Sequence, residues 1–273
     1  MLGKLIKHEC RATARILPFA YLATAILFLV AWIVKLAVGE MTTVAMIPTV
    51  LFLLASIGVF ILTLILCIMR YYKSMFGGEG YLTQTLPVAK SALYCSKLIV
   101  SILWLTASSI LFLVSLFGFF CLMNTDTALE LLHTLFAPPC LGMVLFFITA
   151  IFVQMILFIV AVDFCITLAN TRPFLRNNIA FSFVFYLVFA CIQGALEVIS
   201  MIFIPVSVTI TPEKTQIIGQ SMLQYYGDGF SEQATNITMG MTVGAGFSIA
   251  DLSMIVILLI LTIILLKKKV SVK

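Results

Sequence analysis

The stretch that decides the fold is AMIPTVLFLLASIGVFILTLILCIM, residues 45–69, which carries no charged side chain over 25 consecutive positions. A helix of about 20 apolar residues spans the hydrocarbon core of a bilayer, which is roughly 30 Å thick. Five further stretches are also long and mostly apolar, with a single charged residue in each, at residues 16–39, 91–122, 141–166, 179–204 and 247–266. The sequence therefore predicts six membrane spans.

The overall composition leads to the same fold class. The chain has 273 residues, of which 63% are hydrophobic and only 10% are charged, a balance that no water-soluble domain could bury in one core. The apolar stretches are continuous and lack the alternation of barrel strands. Helices satisfy their own backbone hydrogen bonds in lipid, so we expect an all-α polytopic membrane protein.

The distribution of lysine and arginine predicts the orientation. With six spans and a cytoplasmic N-terminus, 14 of the 16 basic residues fall in cytoplasmic segments, and only Lys35 and Lys214 fall outside. Basic residues favour cytoplasmic loops, so both termini are predicted to face the cytoplasm. The net charge of +5 then reflects this asymmetry and attraction to anionic lipids, and a nucleic-acid partner is not expected.

Residues 1–15 precede the first span and carry Lys4, Lys7, Arg11 and Arg15 at helical spacing. Leu2, Leu5, Ile6, Thr13 and Ile16 gather on the other side. This pattern indicates a short amphipathic helix in the inner headgroup region, ahead of a six-span domain over 16–273. A positively charged flank without a defined orientation is the alternative.

Two predicted loops stand out by length or composition. The outer loop 205–246 is over forty residues long, which is unusual unless the loop is functional, and its semi-apolar patches favour packing against the membrane domain. The inner loop 70–90 is rich in charged, aromatic and glycine residues. The seven cysteines show no CxxC pair, so we expect free thiols, with a Cys121–Cys140 disulfide as the alternative.

Few residues point to chemistry on this chain. No GxxxxGK[ST] motif is present to hold ATP phosphates, and the two histidines, His8 and His133, are predicted on opposite sides of the membrane. Neither an enzyme nor a metal site is expected. Asp163 and Glu197 lie inside predicted spans, where ionisable groups are costly and usually mark a pathway. They are candidate substrate-path residues, although both lie near span ends and could simply reach water.

The loop 70–90 has an ordered pattern. Arg70, Tyr71, Tyr72 and Lys73 form an interfacial anchor, and Gly77 and Gly78 then break the helix. Residues 79–86 leave room for about two helical turns before Pro87. The pattern predicts a short, rigid cytoplasmic element that suits a partner's groove, with an ordinary helix hairpin as the alternative.

The stretch EGYLTQTLPV (residues 79–88), followed by Lys90 and the pair Ser96-Lys97, and the segment KLIKHE (residues 4–9) resemble permease subunits of bacterial type V ABC exporters, the ABC-2-like type common in Firmicutes. The layout of the whole chain is similar to that family, but only residues 79–87 are specific. This chain has Gly78 where the family usually has an acidic or polar residue. The resemblance implies a coupling helix that docks on a separate ATPase subunit through Glu79, Tyr81, Leu82, Gln84, Thr85 and Leu86. It also implies a second, smaller contact at Arg172 and Arg176.

The resemblance further implies a multi-pass subunit of the bacterial plasma membrane that pairs with a second permease, as a homodimer or heterodimer, and with two ATPase subunits. ATP and Mg would then bind the partner, with no cofactor on this chain. A wall of Phe, Leu and Met favours hydrophobic or amphipathic cargo such as peptides, lipids or drugs, and resistance to antimicrobial peptides would fit such cargo. Two alternatives stay open: a non-transporting sensor or assembly module, and an ion-coupled secondary transporter that uses Glu197 or Asp163.

Overall fold

A computed structural model of the chain describes residues 2–39, 43–78, 80, 89–171, 177–210, 215–224 and 241–268. The eight long helices in these ranges are α1 (Leu2–Thr13), α2 (Leu17–Val38), α3 (Thr43–Met75), α4 (Lys90–Met123), α5 (Thr125–Phe136), α6 (Pro138–Ala169), α7 (Asn178–Phe203) and α8 (Gly246–Lys268). Six of them, α2, α3, α4, α6, α7 and α8, are long and apolar enough to cross a membrane. The prediction of an all-α polytopic membrane protein is confirmed.

The chain divides into two compact units, one within Met1–His133 and the other within Thr134–Ser271. In the first unit, α3 packs against α2 and α4, and α1 packs against α4. Ala31, Phe52 and Leu122 form a buried cluster with Phe28 against it, and the rings of Phe28 and Phe52 lie 5.3 Å apart. Packing of these buried apolar side chains thus joins α2, α3 and α4.

In the second unit, α6 packs against α7 and α8, and α7 packs against α8. A three-stranded antiparallel sheet is associated with this unit, with β1 (Ser207–Ile210) between β2 (Thr215–Ile218) and β3 (Met241–Gly244). β2 contacts α6 and β3 contacts α7. The sheet therefore holds the connection between α7 and α8 close to the helix ends.

A close backbone approach fixes the start of α8. A Cβ atom added to Gly246 would overlap the carbonyl oxygen of Ser200 on α7. Only glycine lets two backbones come this close, so Gly246 brings the first turn of α8 directly onto the last turns of α7.

The structure adds detail to the segments between the spans. α3 continues past the apolar stretch 45–69 into the predicted coupling loop 70–90 and ends at Met75, just before the Gly77–Gly78 pair that was predicted to break the helix. The segment between the third and fourth spans contains α5. The outer loop 205–246 contains β1, β2 and β3, and these short strands were not predicted.

Tyr71, one of the residues predicted to anchor the inner end of this helix, packs inside the protein. It is buried, and its ring lies 6.0 Å from those of Phe76 and Tyr94. Packing of this kind, which the sequence does not display, stabilises the part of α3 that extends beyond the apolar stretch.

Candidate functional site

Eight residues were assigned to ATPase docking, and all of them lie outside the described ranges: Glu79, Tyr81, Leu82, Gln84, Thr85, Leu86, Arg172 and Arg176. The structure does describe the helices on either side of residues 79–88, namely the end of α3 and the start of α4. The chain leaves α3 at Gly77, whose amide donates hydrogen bonds to the carbonyls of Tyr72 and Lys73, each at 3.1 Å. A Cβ on Gly77 would lie 2.8 Å from the Lys73 carbonyl oxygen, so glycine is needed at this turn.

A buried ion-pair cluster joins these two helices to α1. The Oε2 atom of Glu9 on α1 accepts a hydrogen bond from Nε of Arg70 on α3 at 2.6 Å. Its Oε1 atom accepts one from Nζ of Lys97 on α4, also at 2.6 Å. Glu9 is 8% exposed and Lys97 is 5% exposed, so both charges are largely removed from water. One carboxylate thus ties three helices together.

The charges around Glu9 determine its protonation. Burial would raise the pKa of Glu9, but the charges and hydrogen bonds of Lys97 and Arg70 outweigh burial and lower that pKa below 4.5. Glu9 is therefore ionised at neutral pH. A buried ion pair needs such compensation, because an isolated buried charge is strongly unfavourable.

A small polar cavity lies beside this cluster. It is lined by Glu9, Arg70, Lys97 and Trp104, among others, and its free volume of about 10 Å³ leaves room for roughly one water molecule. The indole Nε1 of Trp104 is buried and has no hydrogen-bond partner among the described residues.

A second cluster lies in the other unit and involves Glu197, one of the two candidate path residues. Its Oε1 atom accepts hydrogen bonds from Nε2 of Gln154 on α6 at 3.1 Å and from Nε2 of Gln193 on α7 at 2.7 Å. The side chain of Asp251 on α8 lies close to that of Glu197, within hydrogen-bonding reach. Side chains from three membrane helices therefore converge on one carboxyl group, and we call this set the carboxyl cluster.

The other candidate, Asp163 on α6, is 4% exposed, and its carbonyl accepts a hydrogen bond from the hydroxyl of Thr167 at 2.7 Å. Asp163 is nine residues beyond Gln154, which corresponds to roughly 13 Å along the helix. The structure therefore does not bring Asp163 and Glu197 into one site.

Sequence reasoning missed Glu9 and Asp251. Glu9 is the lone acidic residue in a basic amphipathic segment, and that exception was an available signal. Asp251 is the only charged residue in the apolar stretch 247–266, and it equally met the criterion that selected Asp163 and Glu197. Within the described residues, no group of three or more histidine, cysteine or acidic side chains is arranged to hold a metal ion. None of the seven cysteines, each of which lies in a described range, forms a disulfide.

The fold and these two clusters define a polytopic membrane protein with buried charged groups in each unit. No protein-family model, no curated protein and no solved structure matches the chain.

Proposed function

We propose that the chain is the permease subunit of an ATP-driven exporter, with hydrolysis on separate ATPase subunits that dock on the segment between α3 and α4. Two such ATPase subunits and a second permease would complete the complex in a bacterial plasma membrane. Its cargo would be hydrophobic or amphipathic, in line with the Phe-, Leu- and Met-rich spans.

The observation that carries this proposal is the contact of Glu9 with both Arg70 and Lys97. Arg70 lies near the end of α3 and Lys97 near the start of α4, so the two cations flank the proposed docking segment. A carboxylate that holds both cations and α1 makes the base of that segment rigid. A push on the segment would then move α3, α4 and α1 together instead of bending the loop.

The packing of aromatic side chains supports the same conclusion. Tyr71 on α3 contacts Tyr94 on α4 and Phe76 just beyond α3, in edge-to-face pairs. Such pairs contribute about 0.5–1.5 kcal/mol each beyond their buried area. The two helices are therefore joined by apolar packing as well as by charge.

Co-purification tests the docking assignment. Leu82→Asp and Glu79→Lys are expected to leave membrane insertion intact but to reduce the yield of a bound ATPase subunit. Matched controls on α5 are Leu129→Asp and Glu130→Lys, since both positions are exposed and lie on the side predicted to be external. If Leu82→Asp keeps full complex yield and transport, the docking assignment is wrong.

A second experiment separates docking from transmission. Glu9→Gln keeps the shape of the side chain but removes the charge that holds Arg70 and Lys97. We expect the ATPase to remain bound while cargo transport per ATP hydrolysed falls. Unchanged coupling would show that the Glu9 cluster serves stability alone.

The carboxyl cluster favours a second candidate function, an ion-coupled secondary transporter that uses Glu197. The two candidates differ in their energy source. Vesicles that contain this chain without any ATPase test the second candidate. Transport into them that follows an imposed ion gradient would support it. Transport that requires a co-purified ATPase and ATP would support the first.

A further inference from the structure

The carboxyl cluster contains two acidic side chains in direct contact within membrane-spanning helices. Asp251 is 1% exposed, and its Oδ2 atom is buried without a hydrogen-bond partner among the described residues. Its side chain lies within hydrogen-bonding reach of Glu197, which is half-buried. Two carboxylate ions cannot make a hydrogen bond to each other, because neither has a donor. A hydrogen bond between them therefore requires one proton.

The neighbours of Glu197 indicate which carboxyl holds that proton. Two amide groups, of Gln154 and Gln193, donate hydrogen bonds to a single oxygen of Glu197, so Glu197 already acts as a hydrogen-bond acceptor. Asp251 is the more deeply buried of the pair and has no such donors among the described residues. The proton is therefore placed on Asp251, which donates to Glu197.

Nothing else in the packed elements supplies positive charge near the pair. The titratable residues of the packed helices, besides the pair itself, are Cys140, Asp163 and Cys165 on α6, Tyr186 and Cys191 on α7, and Lys267 and Lys268 at the end of α8. The three strands contain none. Lys267 is sixteen residues from Asp251, roughly 24 Å along α8. A proton is thus the only compensating cation that these elements provide.

We propose that Asp251 and Glu197 form a proton-binding site that holds one proton between α7 and α8, and that release of this proton to water weakens the contact between the two helices. The bound state joins the helices through a hydrogen bond. The released state places two negative charges side by side in an apolar surrounding, where they repel strongly. This site does not depend on the chain being an exporter, because it follows from the geometry of the second unit alone.

The direction of the pH dependence follows from the proton balance. In the proposed site the folded protein keeps a proton at a pH where the separated side chains would have released it to water. Stability contributed by the site is therefore complete only at acidic pH, where the separated side chains are protonated too, and it is lost as the pH rises until the pair releases its proton.

Infrared difference spectroscopy on the purified full-length chain in lipid nanodiscs tests the site. We expect the C=O stretching band of a protonated carboxyl group at neutral pH, and its loss on alkaline titration. Asp251→Asn is expected to lack the band, and Glu130→Gln, at an exposed position on α5, is expected to retain it. Absence of the band in the wild type, or its persistence in Asp251→Asn, would overturn the proposal.

Thermal unfolding gives a second readout on the same samples. The contribution of the pair to the melting temperature is expected to fall as the pH rises from mildly acidic to alkaline values. Asp251→Asn should lose this contribution to the slope, because its amide can still donate to Glu197 but does not titrate. An unchanged slope contradicts the proposal. If Asp251→Asn does not fold, Glu197→Gln replaces it. In Glu197→Gln, the C=O stretching band of protonated Asp251 must shift, since the Asp251 proton has lost its carboxylate acceptor. An unshifted band would also overturn the proposed site.

Discussion

The two units bury acidic side chains in opposite ways. In the first unit, Glu9 has two cations as partners, Arg70 and Lys97, and stays ionised. In the second unit, Glu197 has two amides and another carboxyl group, Asp251, as partners. In the first arrangement, cations of the protein itself compensate the carboxylate, whereas in the second we propose that a bound proton does so. Buried acidic groups in this protein are thus compensated by the chain in one unit and, in our proposal, by a proton in the other.

The largest effect is expected from removing the anion of the first unit. Glu9→Ala leaves Lys97 buried and without its carboxylate, and breaking a buried pair in this way costs about 3 kcal/mol. The free energy of unfolding in detergent would measure this loss. Lys4→Ala, an exposed position on the same helix, is the matched control and should change little. Equal stability of Glu9→Ala and wild type would remove the contrast between the units.

The next effect concerns the geometry that brings Asp251 to Glu197. Gly246→Ala places a methyl group against the Ser200 carbonyl, and the resulting backbone shift is expected to cost roughly 2 kcal/mol. Gly194→Ala is a suitable control on α7, because a Cβ there meets nothing within 4 Å. Thermal unfolding of both variants checks the difference. Indistinguishable variants would show that the first turn of α8 is free to move away from α7.

A pH titration distinguishes the two units by the direction in which their stability changes with pH. The lowered pKa of Glu9 means that its stabilising contribution is complete above 4.5 and is lost as the pH falls through the still lower folded-state value. Wild type should therefore lose stability on acidification to a greater extent than Glu9→Gln, which has no such group to protonate. The carboxyl cluster is expected to lose stability in the alkaline direction. Parallel acid profiles of wild type and Glu9→Gln would contradict the assignment of Glu9.

The smallest effect on stability, and the sharpest test of the comparison, comes from Gln154→Lys. Gln154 is exposed, so a lysine can occupy the position while its ammonium group approaches Glu197. This change gives the second unit a cation of the kind that the first already has. The protonated-carboxyl band should then weaken at neutral pH, because the lysine replaces the proton. Gln193→Leu removes an amide donor without adding charge and should keep the band. An unchanged band in Gln154→Lys would show that cations and protons do not compete at this site.

Much of the fold could be predicted because it follows from hydrocarbon length. Each span is a local property of about 20 neighbouring residues, and all six were located from apolar stretches alone. The short strands of the outer loop were not predicted, because a strand such as β1 has too few residues for a clear alternation. The packing of Tyr71 against Tyr94 was not predicted either, because the two residues lie on different helices.

The sites were less predictable than the spans. Glu197 was identified as an intramembrane charge, but its partner Asp251 was not, although the same rule applied to both. The separation along the chain explains why no local pattern could join the partners. Glu9 is 61 residues from Arg70 and 88 from Lys97, and Glu197 is 43 residues from Gln154.

By itself, the sequence determined that this chain crosses a membrane six times as helices, because the free energy of placing apolar side chains and paired backbone in lipid is a sum over neighbouring residues. Only the tertiary structure decided which buried charges meet. Helix packing places Glu9 between two cations and Glu197 beside another acid, and the energy of a buried charge depends on the atoms within a few ångströms of it, wherever they lie in the chain.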